Sequence, residues 1–319
     1  MMNAMTPDEL LARLLYRDGL MLVIDKPAGL PVHRGPKGGE SLEDHFGALR
    51  FGLPRAPALA HRLDRETSGC LVLGRHRKAL ATLGRLFKSG AVGKTYWAVV
   101  EGGPEEDEGT IDLSLGRRDE SRGWWMRPDP AGQPAVTRWK VLGRAPPASA
   151  ISGQQLSGAR AATSPPPLRG RDRERGDSEH RIFGHPPPHP SPTRGEGADP
   201  SHGEVIDSPQ DQIDASRAIT WLALEPVTGR THQLRVHCAA LGFPIVGDTI
   251  YGTQAGLRRL RKEAAPRVGG PALHLHSREI VVPLYKNRAP IAVTAPVPLS
   301  MQERLYACGW QGEVFRLVD

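Results

Sequence analysis

The chain has 319 residues, 39% of them hydrophobic, enough apolar material for one substantial domain or two intimate subdomains. Its formal net charge is +7 and its sequence pI is near 9.6, a balance that suits a polyanionic partner. Three scattered cysteines, Cys70, Cys238 and Cys308, with no CxxC pair, argue against a disulfide scaffold or a zinc site, and no charged-then-apolar leader or membrane-length apolar run is present, so the chain reads as cytoplasmic.

From the N-terminus, Leu20 to Asp25 is an apolar run closed by Lys26-Pro27-Ala28-Gly29, a strand and a turn. Cys70-Leu71-Val72-Leu73 is a second apolar strand. Residues 77–88 place Leu80, Leu83, Leu86 and Phe87 on one helical face, with Arg77, Lys78, Arg85 and Lys88 outside it. Gly90 and Gly93 end that helix and admit a strand over 94–101, whose alternation puts Tyr96, Ala98 and Val100 on one face and Thr95, Trp97 and Val99 on the other. Further strands are predicted at 110–115, 135–142, 218–225, 272–276, 278–282 and 291–296. A helix after Arg230 presents Leu234, Cys238 and Leu241 along a buried stripe and stops at Gly242. A last helix begins at Ser300. Strands and helices mix without a strict βαβ rhythm, which predicts an α+β fold.

Residues 145–216 break the pattern. They carry Pro-Pro-Pro twice and alternating charge at 169–175, and they hold 7 Arg, no Lys and 10 Asp or Glu. Their net charge is therefore −3, which leaves the rest of the chain more basic than the whole. Too few large apolar residues are present to offset chain ordering, so this stretch reads as a disordered insertion between two antiparallel strands. Lengthening such a loop costs only about 0.6 kcal/mol per doubling. The domain reading is thus one unit built from 1–144 and 217–319. His180, His185, His189 and His202 inside the insertion are given no metal role, and an arm contacting a polyanionic partner is the less favoured reading because the insertion's net charge is negative.

Two constellations carry chemistry. The first, His61-Arg62-Leu63-Asp64-Arg65-Glu66-Thr67-Ser68-Gly69, sets one carboxylate between two arginines on a turn that feeds the Cys70 strand. Flanking guanidinium groups favour an ionised acid, and Thr-Ser-Gly turn chemistry can hold it beside a sheet. Such a carboxylate serves as a nucleophile or a charge stabiliser. The alternative is a surface Asp in an ordinary ion pair. The second constellation, Thr228-Gly229-Arg230-Thr231-His232-Gln233-Leu234-Arg235-Val236-His237, reads as a strand end, a Gly turn and the first turns of a helix. No Rossmann glycine fingerprint, P-loop or metal cluster is present, so neither cofactor nor metal is expected.

Together these runs resemble the signature of the RluA-type pseudouridine synthases, which isomerise uridine in ribosomal and transfer RNA. Val23-Ile24-Asp25-Lys26-Pro27-Ala28-Gly29-Leu30, Lys94-Thr95-Tyr96-Trp97-Ala98-Val99-Val100 and Gly242-Phe243-Pro244-Ile245-Val246-Gly247-Asp248 follow in family order. The resemblance spans about residues 16–145 and 217–298. It implies the pseudouridine synthase fold, a mixed, mostly antiparallel sheet with flanking helices and a central cleft, and an enzyme that flips its target base. By the same resemblance Asp64 is the catalytic aspartate, attacking C1′ or C6 or acting as a base toward the ribose. Arg230 pairs with Asp64, and Tyr96 stacks on the uracil and assists removal of the C5 proton. Arg62 fills the vacated stack or clamps a phosphate, with a plain salt bridge as the competing reading. Leu234 forms an apolar floor under the base or packs in the core. Arg65 and Arg235 are read as phosphate contacts or surface charge, as are Arg117, Arg118, Arg258, Arg259, Arg261 and Lys262. His61 is given a hydrogen bond that sets the turn.

Only about 15 residues precede the first catalytic-domain strand, too few for the S4-type RNA-binding domain carried by many relatives, so recognition is expected from the catalytic domain itself and favours a compact RNA stem-loop; a monomer is expected. Two other readings compete. One is a catalytically idle RNA-binding or RNA-folding protein on the same fold, disfavoured by intact Asp64, Tyr96 and Arg230. The other is a glycoside hydrolase, which would need a second carboxylate such as Glu66.

Overall fold

The computed structural model describes residues 5–35, 38–118, 125–146, 218–252 and 272–313. Chain order begins with a short helix α1 (Pro7–Ala12), β1 (Leu14–Arg17) and β2 (Met21–Lys26). A 3-10 helix (Leu42–Leu49), β3 (Ala58–Leu59), β4 (Ser68–Gly74) and α2 (Arg77–Lys88) follow. Next come β5 (Gly93–Glu101), β6 (Glu108–Asp112), the β7 (Leu115–Arg117) and β8 (Met126–Pro128) ribbon, and β9 (Val136–Ala145). After the insertion the chain resumes with β10 (Ile219–Pro226), α3 (Gln233–Ala240), β11 (Leu275–Val282), β12 (Ile291–Thr294) and α4 (Leu299–Ala307).

The strands join one ten-stranded sheet whose main path runs β1-β2-β4-β11-β5-β10-β9-β6, with β3 on β4 and β12 on β11. All of its pairings are antiparallel except β4 with β11. The fold is therefore α+β with a mixed, mostly antiparallel sheet, as the sequence predicts. Period-2 alternation feeds two cores, one on each face. Leu22 and Ile24 of β2, Leu71 and Leu73 of β4, and Ala98 and Val100 of β5 pack with Leu222, Leu224, Leu234 and Cys238. Met21, Val23, Cys70 and Val72 point the other way, onto Leu83 of α2, Ile280 and Val282. All three cysteines are buried and free.

Strands β9 and β10 are antiparallel neighbours, with Ala145 opposite Ile219. The insertion therefore leaves and re-enters the sheet at one point. Beyond its first residues it lies outside the described part of the chain, as do Arg258, Arg259, Arg261 and Lys262.

Three expectations change, and several short elements are added. The two strands predicted at 272–276 and 278–282 are one, because a bulge between Ser277 and Glu279 absorbs the interruption. The 110–115 strand is split between β6 and β7. Leu241 is 47% exposed, since α3 ends at Ala240 and Gly242, with φ +86, turns the chain away. Helix α1, the 3-10 helix, and strands β1, β3 and β8 carry too few periodic residues to be seen in the sequence, although α1 has a capping box in which Glu9 N–H donates to Thr6 Oγ1 and Thr6 N–H to Glu9 Oε2.

The parallel junction explains Gly69. Its φ is +103, and a Cβ there would stand 2.3 Å from the Ser277 carbonyl oxygen of β11. Only glycine lets the turn after Asp64 join the sheet at that crossing.

Beside this junction two histidines are buried as neutral rings. His276 Nδ1 lies 2.9 Å from Ser68 Oγ and its Nε2 faces the Ala295 carbonyl. His274 Nδ1–H donates to the Ala272 carbonyl while Arg304 donates to Nε2. Burial pulls both pKa values down to about 4. Below pH 6.5 the unfolded chain takes up protons that the folded one refuses, so folding stability should fall as pH drops from about 6.5 toward 4. Urea unfolding across that range should show a loss on the order of a few kcal/mol, and His276→Gln should remove part of the slope.

Candidate active site

The loop that carries Asp64 is fastened from below by β2. Lys26, at 0% exposure, donates from Nζ to the carbonyls of Pro27 (2.7 Å), Arg65 (2.9 Å) and Thr67 (2.9 Å). Those three acceptors match the three donors of an ammonium group, while burial draws its pKa down to about 7. Gly29 N–H donates to the Arg65 carbonyl and Arg65 Nε donates back to the Gly29 carbonyl. Thr67 N–H closes a turn onto the Asp64 carbonyl. From above, Val72 N–H donates to His61 Nε2 at 3.0 Å, and the His61 ring stacks on Phe87. That is the turn-setting role expected for His61. The Asp64 side chain is left 28% exposed.

The second constellation forms a turn and α3. Gln233, buried, accepts at Oε1 from Thr228 Oγ1–H and Arg230 N–H, and donates from Nε2 to the Val136 carbonyl and Thr137. It thereby ties the Gly229 turn to β9. His232 enters the helix with φ +53, and its Nδ1 lies 2.8 Å from the Tyr251 hydroxyl. Burial lowers the His232 pKa, with Asp64 opposing.

The guanidinium beside Asp64 belongs to Arg235. Its Nη1 stands 3.8 Å from Asp64 Oδ2, and His232 Nε2 is 3.9 Å from the same oxygen. Arg235 is itself buried and held bidentately by Asp248, with both contacts at 2.7 Å. Asp248 Oδ1 also accepts from the backbone N–H groups of Ile250 and Tyr251, and the Tyr251 ring lies 5.3 Å from the Arg235 guanidinium carbon. Arg230, expected in this place, instead donates from Nε to the Pro134 carbonyl at 3.1 Å. The turn carries it to the pocket rim, whereas the helix carries Arg235 inward. The reading of Arg235 as a surface charge is thus corrected. An arginine on the same buried face as Leu234 and Cys238 signals a partnered charge, and Asp248 was the acid to look for.

These elements enclose a cavity of about 700 Å³ whose lining includes Asp64, Tyr96, Leu234, Arg235 and Leu275, with Arg62, Lys88, Lys94 and Arg230 adding positive charge. Asp64 is the only carboxylate among the described lining residues. Tyr96 is buried, which pushes its phenol well above the usual tyrosine range, with the Asp64 charge adding to the shift and the Ser277 hydroxyl opposing it. Leu234 belongs to the core and to the cavity wall together. Arg62 is exposed at the rim. Arg65 is outside the lining, bound to the Gly29 carbonyl and 3.4 Å from Glu66. Glu66 is outside it too, so the second carboxylate that a glycosidase needs is not at hand. Among the described residues no cluster of His, Cys, Asp or Glu could hold a metal ion, and no helix is long and apolar enough to cross a membrane.

A ten-stranded mixed sheet thus carries a cleft whose described lining holds one carboxylate among several cations. The sequence model of the RNA pseudouridylate synthase family matches residues 20–240, and the chain belongs to that family. An uncharacterized RNA pseudouridine synthase of Zymomonas mobilis is 34% identical over 288 residues, which cover 90% of this chain and 94% of that protein. A mitochondrial pseudouridylate synthase of Xenopus tropicalis is 27% identical over 311 residues, covering 93% and 80%. Among solved structures, human RNA pseudouridylate synthase domain containing 4 shares the fold, with a TM-score of 0.58, 22% identity and 95% coverage of both chains.

The Asp248–Arg235 pair gives a test. Removing the charge of Asp248 leaves a buried guanidinium without its counter-ion, and breaking such a pair costs about 3–5 kcal/mol. Asp248→Asn should therefore destabilise the fold on that scale in urea melts and slow pseudouridine formation more than tenfold. Asp107→Asn, which breaks the exposed Arg144–Asp107 pair, should cost less than about 1 kcal/mol.

Proposed function

We propose that Asp64 is the catalytic carboxylate of a uridine-to-pseudouridine isomerisation carried out on a stem-loop of ribosomal or transfer RNA. The observation that supports this reading is that Asp64 is the only carboxylate among the described residues lining the cavity, whose other charged side chains are cations. The reaction breaks the N1–C1′ bond, turns the uracil and rejoins it through C5. The C5 proton is lost and N1 recovers one, so the net change is an isomerisation that needs neither oxidant nor group donor.

A stacked uridine cannot reach Asp64, so the base is flipped, at a cost of a few kcal/mol that contacts in the pocket repay. Tyr96 and Leu234 supply its apolar walls. The raised pKa keeps Tyr96 a neutral phenol at physiological pH, suited to stacking and to hydrogen bonding. Arg235 holds the Asp64 carboxylate on the side of the ribose–base junction. Arg230 and Arg62, at the rim, take the flanking phosphates, with Arg62 also placed to enter the gap left by the base. We read the enzyme as a monomer, and three buried, unpaired thiols fit the reducing conditions of a cytoplasm.

We also read residues 145–216 as dispensable, because they enter and leave at the adjacent ends of β9 and β10.

Two experiments check these points. Asp64→Asn should abolish pseudouridine formation, scored by chemical mapping of total RNA with and without the protein, while RNA affinity changes little. Parallel loss of binding would make Asp64 a structural residue. A chain lacking 146–215, with a short Gly-Ser link between β9 and β10, should remain soluble and active; aggregation or inactivity would make the insertion part of the fold.

A further inference from the structure

Helix α2 follows β4 and ends at the cleft, where Phe87, Lys88, Ser89 and Gly90 join the lining. Its inner face is Ala79 and Leu83, both buried, with Leu80, Leu86 and Phe87 half-buried around them. The outer face is Arg77, Lys78, Ala81, Gly84, Arg85 and Lys88, all exposed. The helix contains no acidic residue, and among the described residues none of its four cations is in an ion pair.

That charge pattern works against the helix itself. Arg77 and Lys78 occupy the first turn, where the positive end of the macrodipole favours acids and repels cations. Arg85 and Lys88, in the last turn, are well placed by the same rule. A face evolved only for solvation would gain stability from Asp or Glu at 77 and 78. Ala81 and Gly84, between the two cationic pairs, leave the surface low enough for close approach. At 1.5 Å per residue the face is about 17 Å long, the length of several phosphates of one strand.

Resting on the reading of the cleft as an RNA site, we propose that the outer face of α2 is a phosphate track. It would carry the strand of the RNA stem adjoining the flipped nucleotide away from the cleft mouth, from Lys88 through Arg85 to Lys78 and Arg77. Charge complementarity with a polyanion and continuity with the cavity at Lys88 single out RNA as the occupant.

The test uses the full chain and leaves Lys88 intact, because it lines the cavity. Arg77→Gln, Lys78→Gln and Arg85→Gln are combined, and binding to unfractionated transfer RNA and to ribosomal RNA is measured over a salt series. Each lost phosphate contact should flatten the log K against log salt slope by about 0.7–0.9. The triple variant should therefore lose about 2.1–2.7 units of slope, bind 10- to 100-fold more weakly at low salt, and keep its single-turnover rate at saturating protein. A second variant, Arg77→Glu with Lys78→Glu, separates binding from folding. It should raise the melting temperature, by the macrodipole, while weakening RNA binding. Unchanged affinity and slope in both variants, with active wild-type protein, would overturn the track alone. A wild-type chain that binds RNA but forms no pseudouridine would overturn the reading of the cleft and leave the track standing.

Discussion

The site depends on one buried cation. Lys26 lies at 0% exposure at the end of a β-strand that opens with the buried apolar run Met21–Ile24, a placement that costs several kcal/mol in desolvation. The cost is met by three carbonyl oxygens, two of them from the loop that carries Asp64. Those carbonyls would be stranded without it, and a stranded buried acceptor costs about 1–3 kcal/mol. Lysine and loop therefore require each other. Gly69 completes the arrangement, since the chain leaving the loop can enter the sheet only through a positive φ. The carboxylate is thus presented from a turn fixed at both ends, with its exposed side facing the cavity.

The opposite wall follows the same logic through a second buried charge. Arg235 does not reach toward Asp64 from solvent; it is locked by Asp248 and extends a spare nitrogen. Asp248 is locked in turn by the backbone of Ile250 and Tyr251, and the Tyr251 hydroxyl meets His232, which also faces Asp64. Little rearrangement remains when substrate arrives, which is the condition for electrostatic preorganisation.

The regular parts of this molecule were legible because period 2 and period 3.6 are written in apolar residues. Helix α2 has the predicted ends, and Tyr96, Ala98 and Val100 share the predicted face. The acid and the aromatic of the cleft were legible as motif residues. Its guanidinium was not, because Arg230 and Arg235 sit in one motif and only the left-handed entry at His232 decides which turns inward. Lys26 was seen as part of a turn but not as its anchor, since three backbone acceptors leave no trace in side-chain sequence. Short elements such as α1 and β3 owe their existence to tertiary packing and were invisible for that reason.

Strand β11 lies between β4 and β5 in the sheet, yet it follows both at long range, and its His276 meets Ser68 across 208 residues. Until β11 has been made, a nascent polypeptide therefore leaves the start of β4 and one edge of β5 without that partner. Such edges invite pairing with other chains, and distant contacts of this kind slow the search for the native state. The keystone of the sheet is thus delivered long after the two strands it joins.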